Sequence, residues 1–365
     1  MKAEAPRSLG RSPARAGLAA CAVLALAAGF ALFGCATDSP TGPGAGGATE
    51  LGLSANPSDF EFPDSIGSAL LTARATGATM MHAGVLWTDV ESSPGAVDVT
   101  QVRQMLSAFQ SLGFATSYSF RVVDTNQRGT PADLAGLAWD DPTMIARVDA
   151  VVDSLLGAFA QYPLLAFSFG NEVDVYFSFH PLELPAFRAL LQRERQRMRA
   201  RLPGLPVGAC TTSPVGNPNA WVGDTLNAYT DLSIYTYYPF QPGTDFIHRP
   251  PSTFEPDMNA MLTRASAHPL ALQEVGYSSA SVCGSSQAAQ ADFARRFRAW
   301  VGAQSRSRVL FASWFLMTDW SNATLNRLFT YYGGYSPGFG GYLGGLGLRD
   351  TTGAPKAAWN TWRGL

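Results

Sequence analysis

The chain has 365 residues, a formal net charge of −2, 46% hydrophobic residues and 15% charged ones. That length suits one large α/β barrel, and near-neutrality with scattered arginines leaves no basic face for nucleic acid. The four histidines are dispersed without Cys–His spacing, and no Gly-rich phosphate turn follows an early strand, so neither a structural metal nor a nucleotide cofactor is implied.

Arg7, Arg11 and Arg15 precede an apolar segment from Ala16 to Phe33 that ends at Gly34 and Cys35. Residues 1–34 therefore read as an export signal, and the pattern resembles a bacterial lipoprotein signal with cleavage before Cys35 and lipid on its thiol. An ordinary signal peptide or an uncleaved membrane helix is the alternative; each version exports the domain, and the first anchors it to the cell envelope. Residues 35–49 include the run ATDSPTGPGAGGAT, which has nothing to bury and reads as a disordered tether. A single domain, acting as a monomer, is expected over 50–365.

In that domain short apolar runs alternate with amphipathic stretches, eight times over. Strands are predicted at Leu51 to Ser54, Thr79 to Ala83, Ala115 to Phe120, Leu164 to Gly170, Pro206 to Thr211, Leu232 to Tyr237, Leu270 to Glu274 and Val309 to Leu316. Helices are clearest at Val99 to Leu112, Thr143 to Ala160, Leu184 to Arg201 and Ser285 to Ala303, the last with a core stripe of Phe293, Phe297, Trp300 and Val301. The fold expected is a (β/α)8 barrel. A doubly wound open sheet accounts for the alternation too, but it lacks its phosphate turn here.

Glu172 and Glu274 each fall where an apolar strand gives way to polar and aromatic residues, at the end of the strand where barrels build their sites. They lie 102 residues apart, which fits three repeats of about 34 on strands four and seven. Two carboxylates facing each other across a cleft are what glycosidic bond cleavage requires, one protonated and one ionised. Apolar Phe167 and Phe169 would raise the pKa of Glu172, and donors near Glu274 would keep it charged. A tyrosine of strand six is one such donor, Tyr237 first, with Tyr235 or Tyr238 as alternatives.

The run Gly170-Asn171-Glu172 with Gln273-Glu274 resembles the clan of barrel glycoside hydrolases that includes cellulases, mannanases, galactanases and β-galactosidases. The resemblance implies a retaining hydrolase of β-linked carbohydrate: Glu172 as acid/base, Asn171 on the sugar 2-hydroxyl and Glu274 as nucleophile. Tyr237-Tyr238-Pro239-Phe240 looks like the strand-six motif of its endo-galactanases. Trp314, near the end of strand eight, stands where the clan stacks a tryptophan under the sugar; a core role is the alternative. Trp87, with Glu91, Pro94 and Gly95, resembles the strand-two loop, and His82 stands where the clan usually carries an arginine; the resemblance puts Trp87 and His82, with Asn171, Tyr237 and Trp314, among the substrate-binding residues.

Other positions keep two readings. Arg121 and Asp124 either line the cleft or pair at a loop base, and Asp174 and Tyr176 either shape a subsite or sit in a solvated loop. The glycine-rich run from Tyr331 to Gly347 either covers the cleft or is an irregular surface loop. Gly353, Trp359 and Trp362 belong to the closing turn and helix. Cys210 and Cys283 admit a disulfide or two separate thiols. Two further functions use the same sequence without hydrolysis: a carbohydrate-binding surface protein, and a lipoprotein scaffold with the glutamates as structural acids. Transglycosylation would use the same residues with sugar in place of water.

Overall fold

The structure is a computed structural model that describes residues 47–59, 64–265 and 267–364. The expected signal, Cys35 and the tether up to residue 46 lie outside the described residues. Residues 47–49, expected as the end of the tether, are pinned to the domain: the Arg306 amide donates to the Gly47 carbonyl, and the Thr49 hydroxyl donates to the Val309 carbonyl at 2.8 Å. Among the described residues no helix is long and apolar enough to cross a membrane.

The strands, in chain order, are β1 (Glu50–Leu53), β2 (Met80–Leu86), β3 (Ala115–Asp124), β4 (Gln127–Arg128), β5 (Ala166–Asn171), β6 (Val207–Gly208), β7 (Cys210–Thr212), β8 (Ser233–Tyr237), β9 (Leu270–Val275) and β10 (Val309–Trp314). Their lateral order is β6-β5-β3-β2-β1-β10-β9-β8-β7, all parallel, with β4 a short antiparallel addition to β3. The two ends of that order, β6 and β7, are one chain segment interrupted at Ala209, so the fifth strand closes the ring. This is a (β/α)8 barrel. The expected strands lie within a few residues of the observed ones. β2 and β3 run on to Leu86 and Asp124 because their ladder with each other continues through Leu86 and Arg121.

The helices are α1 (Asp64–Ala75), α2 (Trp87–Val90), α3 (Thr100–Ser111), α4 (Pro142–Phe159), α5 (Val173–Phe179), α6 (Leu184–Arg201), α7 (Ala220–Asn227), α8 (Phe254–Arg264), α9 (Gln287–Gly302), α10 (Asn322–Tyr332), α11 (Pro337–Gly344) and α12 (Ala357–Arg363). Strand side chains alternate between two cores. Met80, Ala166, Ile234, Ala271 and Phe311 fill the barrel interior, while Met81, Phe167, Tyr235, Leu272 and Ala312 face the helices. Phe293, Phe297, Trp300 and Val301 form the expected buried stripe of α9, and Trp359 and Trp362 pack α12 beneath it.

The glycine-rich run departs from the loop expectation. It holds the end of α10 and all of α11, which starts with Ser336 accepting from the Phe339 amide and Pro337 in the first turn. Its glycines serve close approach. A Cβ on Gly338 would collide with the Asp245 backbone, and one on Gly341 with Val282. The two cysteines are free and buried in different clusters, Cys210 inside the barrel and Cys283 beneath α11, so the disulfide reading is corrected to two separate thiols.

Candidate active site

The strand ends open into a cavity of about 920 Å³ that contains both glutamates. Glu172 follows β5 directly and starts α5 with φ 46° and ψ 42°, a left-handed backbone uncommon outside glycine. Thr125 (φ 55°) and Phe246 (φ 58°) share that conformation, and all three line the cavity. Among the described residues these are the positive-φ residues other than glycine, so left-handed strain of that kind is concentrated, among the described residues, at one site.

Thr125 and the unstrained Thr236 hold the Glu172 carboxyl. Thr125 Oγ1 donates to Glu172 Oε2 at 3.0 Å, and Thr236 Oγ1 donates to Oε1 at 2.6 Å. Thr236 is the register partner of Glu274 on the neighbouring strand, so one residue bridges the two glutamates across the barrel mouth. On the other side, Tyr238 Oη donates to Glu274 Oε2 at 2.8 Å, and Arg121 lies close enough to favour its negative charge. Beneath the pair runs a polar chain. Gln273 Nε2 donates to Asn171 Oδ1 (2.7 Å), Asn171 Nδ2 to Asp124 Oδ1 (2.9 Å), and Tyr331 Oη of α10 to Asp124 Oδ2 (2.9 Å). Asn171 Nδ2 carries a second hydrogen, and the residue lines the cavity.

The two carboxyls titrate apart. Burial, then the Glu274 charge, pushes Glu172 up to about 8, against the opposing hydrogen bonds of Thr236 and Thr125. Burial raises Glu274 as well, but Arg121 and the Tyr238 hydroxyl oppose it. Of the two, Glu172 is therefore the one that holds a shared proton more strongly. The apolar rings expected to raise Glu172 are not the cause. Phe167 and Phe169 point away from it, packing on Phe159 and Phe187 under the helices.

Several expected sugar contacts lie elsewhere. Tyr237 borders the cavity, but its hydroxyl donates to Asp257 Oδ2 at 2.7 Å and its ring stacks on Phe293, so Tyr238, held as an alternative, is the partner of Glu274. Trp314 is fully buried between the barrel and helices α9 and α12, in contact with Phe297 and Trp362; its neighbour Phe315 lines the cavity instead. Trp87 is buried against Phe120, and its Nε1 donates to Glu91 Oε2 at 2.5 Å. Glu91 also receives the Gly95 amide and Arg147 Nε, so the Trp87–Gly95 segment is a structural clasp. His82 bonds Ser117 Oγ through Nδ1 at 2.8 Å, outside the cavity lining. It sits two residues before Gly84, whose face meets Arg121, one layer beneath the cleft floor. Burial, then Arg121, lowers its pKa to about 3, so the ring stays neutral.

The open pairs resolve similarly. Arg121 lines the cavity and also pairs with Asp124 at 3.6 Å. Asp174 is buried and accepts from the Thr212 amide, the Thr212 hydroxyl and Asn217, and Tyr176 donates to Glu183. Thr125 and Thr236, which hold Glu172, were not foreseen. Thr236 shares the inward phase of Ile234 in β8, a signal the sequence carries; Thr125, beyond the end of β3, leaves none. Among the described residues no cluster of three or more His, Cys, Asp or Glu is arranged to hold a metal ion.

No protein-family model and no curated protein sequence matches the chain. Solved structures do. A GH5_18 protein from Streptomyces cattleya in complex with GlcNAc superposes with a TM-score of 0.70 at 16% identity, over 87% of this chain and 80% of that one. The exo-beta-1,4-mannosidase from Opitutaceae bacterium strain TAV5 gives 0.65 at 18% identity, over 87% and 59%. A Bacteroides uniformis beta-glucuronidase gives 0.59 at 12%, over 86% and 34%. At these identities the likeness establishes the barrel.

Proposed function

We propose that the chain is a retaining glycoside hydrolase of β-linked sugars, with Glu172 as acid/base and Glu274 as nucleophile. The observation that carries this reading is a pair of buried carboxyls at the barrel mouth whose surroundings differ. Burial and the neighbouring Glu274 push Glu172 up, whereas the Tyr238 hydroxyl and Arg121 oppose the rise that burial gives Glu274. That ordering favours the pair of protonation states a double displacement starts from. The named activities of the structural neighbours, a β-mannosidase and a β-glucuronidase, support the same reaction class.

In the first step Glu274 attacks the anomeric carbon as the glycosidic bond breaks, and Glu172 gives its proton to the departing oxygen. A water then enters. Glu172, now a carboxylate, takes its proton as the hydroxide adds to the anomeric carbon and Glu274 leaves. The spare Asn171 hydrogen is placed to donate to the sugar, and the Tyr238 hydroxyl to accompany the charge on Glu274 as it becomes an ester and is regenerated. For localisation we infer export and a lipid anchor at Cys35, supported by the arginine-flanked apolar run that ends there.

Azide rescue tests the roles. Glu274→Ala loses turnover on aryl β-glycosides and regains it with azide, giving the inverted glycosyl azide. Glu172→Ala, on a substrate with a good leaving group, gives the retained azide. The exchanged outcome reverses the roles, and wild-type rates in either variant remove that residue from the mechanism.

A further inference from the structure

The segment after β10 crosses the barrel mouth. From Ser321 it first lies against the loop after β1, where the Ser321 amide donates to the Ser58 carbonyl at 2.9 Å and Arg327 pairs with Asp59 at 3.1 Å. The end of α10 reaches the loop after β3: Tyr331 Oη donates to Asp124, and Asn126 Nδ2 donates to the Tyr332 carbonyl at 3.2 Å. Only four residues further on, the chain is fastened to the loop after β8. There Ser336 Oγ donates to Asp245 Oδ1, and the Gly338 amide donates to Oδ2 at 2.8 Å. Four residues reach at most about 14 Å, and Gly333, Gly334, Tyr335 and Ser336 all line the cavity. They form a strap over it. Beyond the strap, α11 settles on the loop after β9, the Ser278 hydroxyl donating to the Gly341 carbonyl at 2.8 Å.

In the ring of strands, a bridge from β3 to β8 separates β5, β6 and β7 from β9, β10, β1 and β2. The second side is covered. No described residue of β1, of β2 or of the loops after them lines the cavity; the wall there is built by α10 and α11, through Leu328, Tyr332, Phe339 and Tyr342. On the first side the rim is open, and Phe179 in α5 stands 78% exposed while lining the cavity. Glu172 follows β5 on the open side, and Glu274 lies in β9 on the covered side. The leaving group departs beside the proton donor, so it occupies the open side, and the rest of the sugar ring points under the strap. A further sugar at that far end would have to thread between the strap and the barrel. Resting on the hydrolase reading above, we propose that the strap of residues 333–336 confines the glycone site to one terminal sugar, so that β-linked substrates are cut from the non-reducing end with release of a monosaccharide. The bonds made and broken are those of the two steps already described.

The test uses 4-nitrophenyl β-glycosides of one sugar and of two β-1,4-linked sugars, in the gluco, manno and galacto series, with the first products separated by chromatography. The proposal expects nitrophenol from a monoside. The matching bioside should give a monosaccharide and the aryl monoside, or no product where its inner linkage does not fit, and in either case no disaccharide. Disaccharide among the first products of the native enzyme overturns this inference and leaves the hydrolase intact. Asp245→Ala, at an exposed position, frees the β8 end of the strap, and disaccharide should then be released from the bioside. A product pattern unchanged in that variant, while it still cleaves the monoside, overturns the role given to the strap. Silence on every glycoside removes this inference and the hydrolase reading together.

Discussion

Replacing Glu274 with glutamine removes one charge from the site and almost no volume, so it isolates the electrostatic part of what holds the proton on Glu172. Burial is the larger cause of that raised pKa and the Glu274 charge the second. A like charge across a shared water-poor site is worth on the order of 2 in pKa. The Glu172 carboxyl, at about 8 in the native protein, should therefore titrate near 6 in Glu274→Gln and stay above its ordinary value because burial persists. At pH 7 that takes it from about nine-tenths protonated to on the order of one-tenth. Carboxyl carbon NMR of glutamate-labelled protein, with the resonance assigned by its absence in Glu172→Gln, reads the change directly. Stability gives a second readout. A carboxyl whose native pKa lies above its unfolded value makes the native state bind more protons between the two. The folded state therefore loses stability as pH rises from about 4.5 to about 8. Narrowing that window should make Glu274→Gln more stable than the native chain by on the order of 2–3 kcal/mol at pH 8, with the advantage shrinking toward pH 4. A Glu172 titration unmoved by the substitution would refute the idea that the two carboxyls share one electrostatic site.

Tyr238→Phe removes the hydrogen bond to Glu274; kcat/KM should fall about 10- to 100-fold and its acidic limb should move to higher pH, because a donor to the charged form is lost. Tyr237→Phe should instead leave kcat/KM within a few-fold and cost about 1–2 kcal/mol of stability through its bond to Asp257, as measured by denaturant titration. Trp314→Ala should lower stability by about 3–5 kcal/mol with KM unchanged, whereas Phe315→Ala, at the cavity wall, should raise KM; a reversed pattern would return Trp314 to the sugar site. Lys356 donates to both Asp319 oxygens at 3.0–3.1 Å in a buried pair. Lys356→Met should cost about 3–5 kcal/mol at pH 7 and less at pH 5, because burial already lifts Asp319 to about 6 and its protonation then removes the unpaired charge.

The barrel and the glutamates were legible because both follow from a repeating pattern: short apolar strands alternating with amphipathic helices, with Glu172 and Glu274 at the polar ends of two of them. The aromatic assignments failed at a shared place. β8 ends at Tyr237 and β10 at Trp314, and these final ladder residues still obey the alternation that points them at the helices. The next residues, Tyr238 and Phe315, fall on the opposite, inward phase and line the cleft, the Phe315 amide still donating to the Val275 carbonyl. Glu172 is likewise the first residue after β5. Glu274 and Thr236 lie within β9 and β8, but Glu172, Tyr238 and Phe315 come from just past their strands, and there an error of one residue in a strand end swaps a core residue for a site residue. Trp87 and His82 misled for another reason: a local motif fixes a loop, but the depth of a side chain depends on barrel layers that no short motif records.

The three strained residues show how the barrel supports its site. A left-handed backbone at a residue other than glycine costs on the order of 1–3 kcal/mol, so three of them consume a noticeable share of a marginal stability. Each is held by a contact that reaches beyond its own loop. The Thr125 amide donates to the Asn171 carbonyl, tying the end of β3 to the end of β5. Glu172 is clasped from both sides by Thr125 and Thr236. Phe246 lies flat on Tyr342 of α11, at 5.2 Å and an interplanar angle of 7°. The polar chain from Gln273 through Asn171 and Asp124 to Tyr331 then fastens β9, β5, β3 and α10 together beneath the carboxyls. Relaxing Thr125 or Glu172 would require breaking the bond between them, and relaxing Phe246 would unstack it from Tyr342, so the carboxyl of Glu172 is placed by constraint among loops from separate repeats. Catalysis by positioned charges needs such placement before substrate arrives, and the same constraint explains why Thr125 and Phe246, neither of which bears a titratable group, belong to the site as much as the glutamates do.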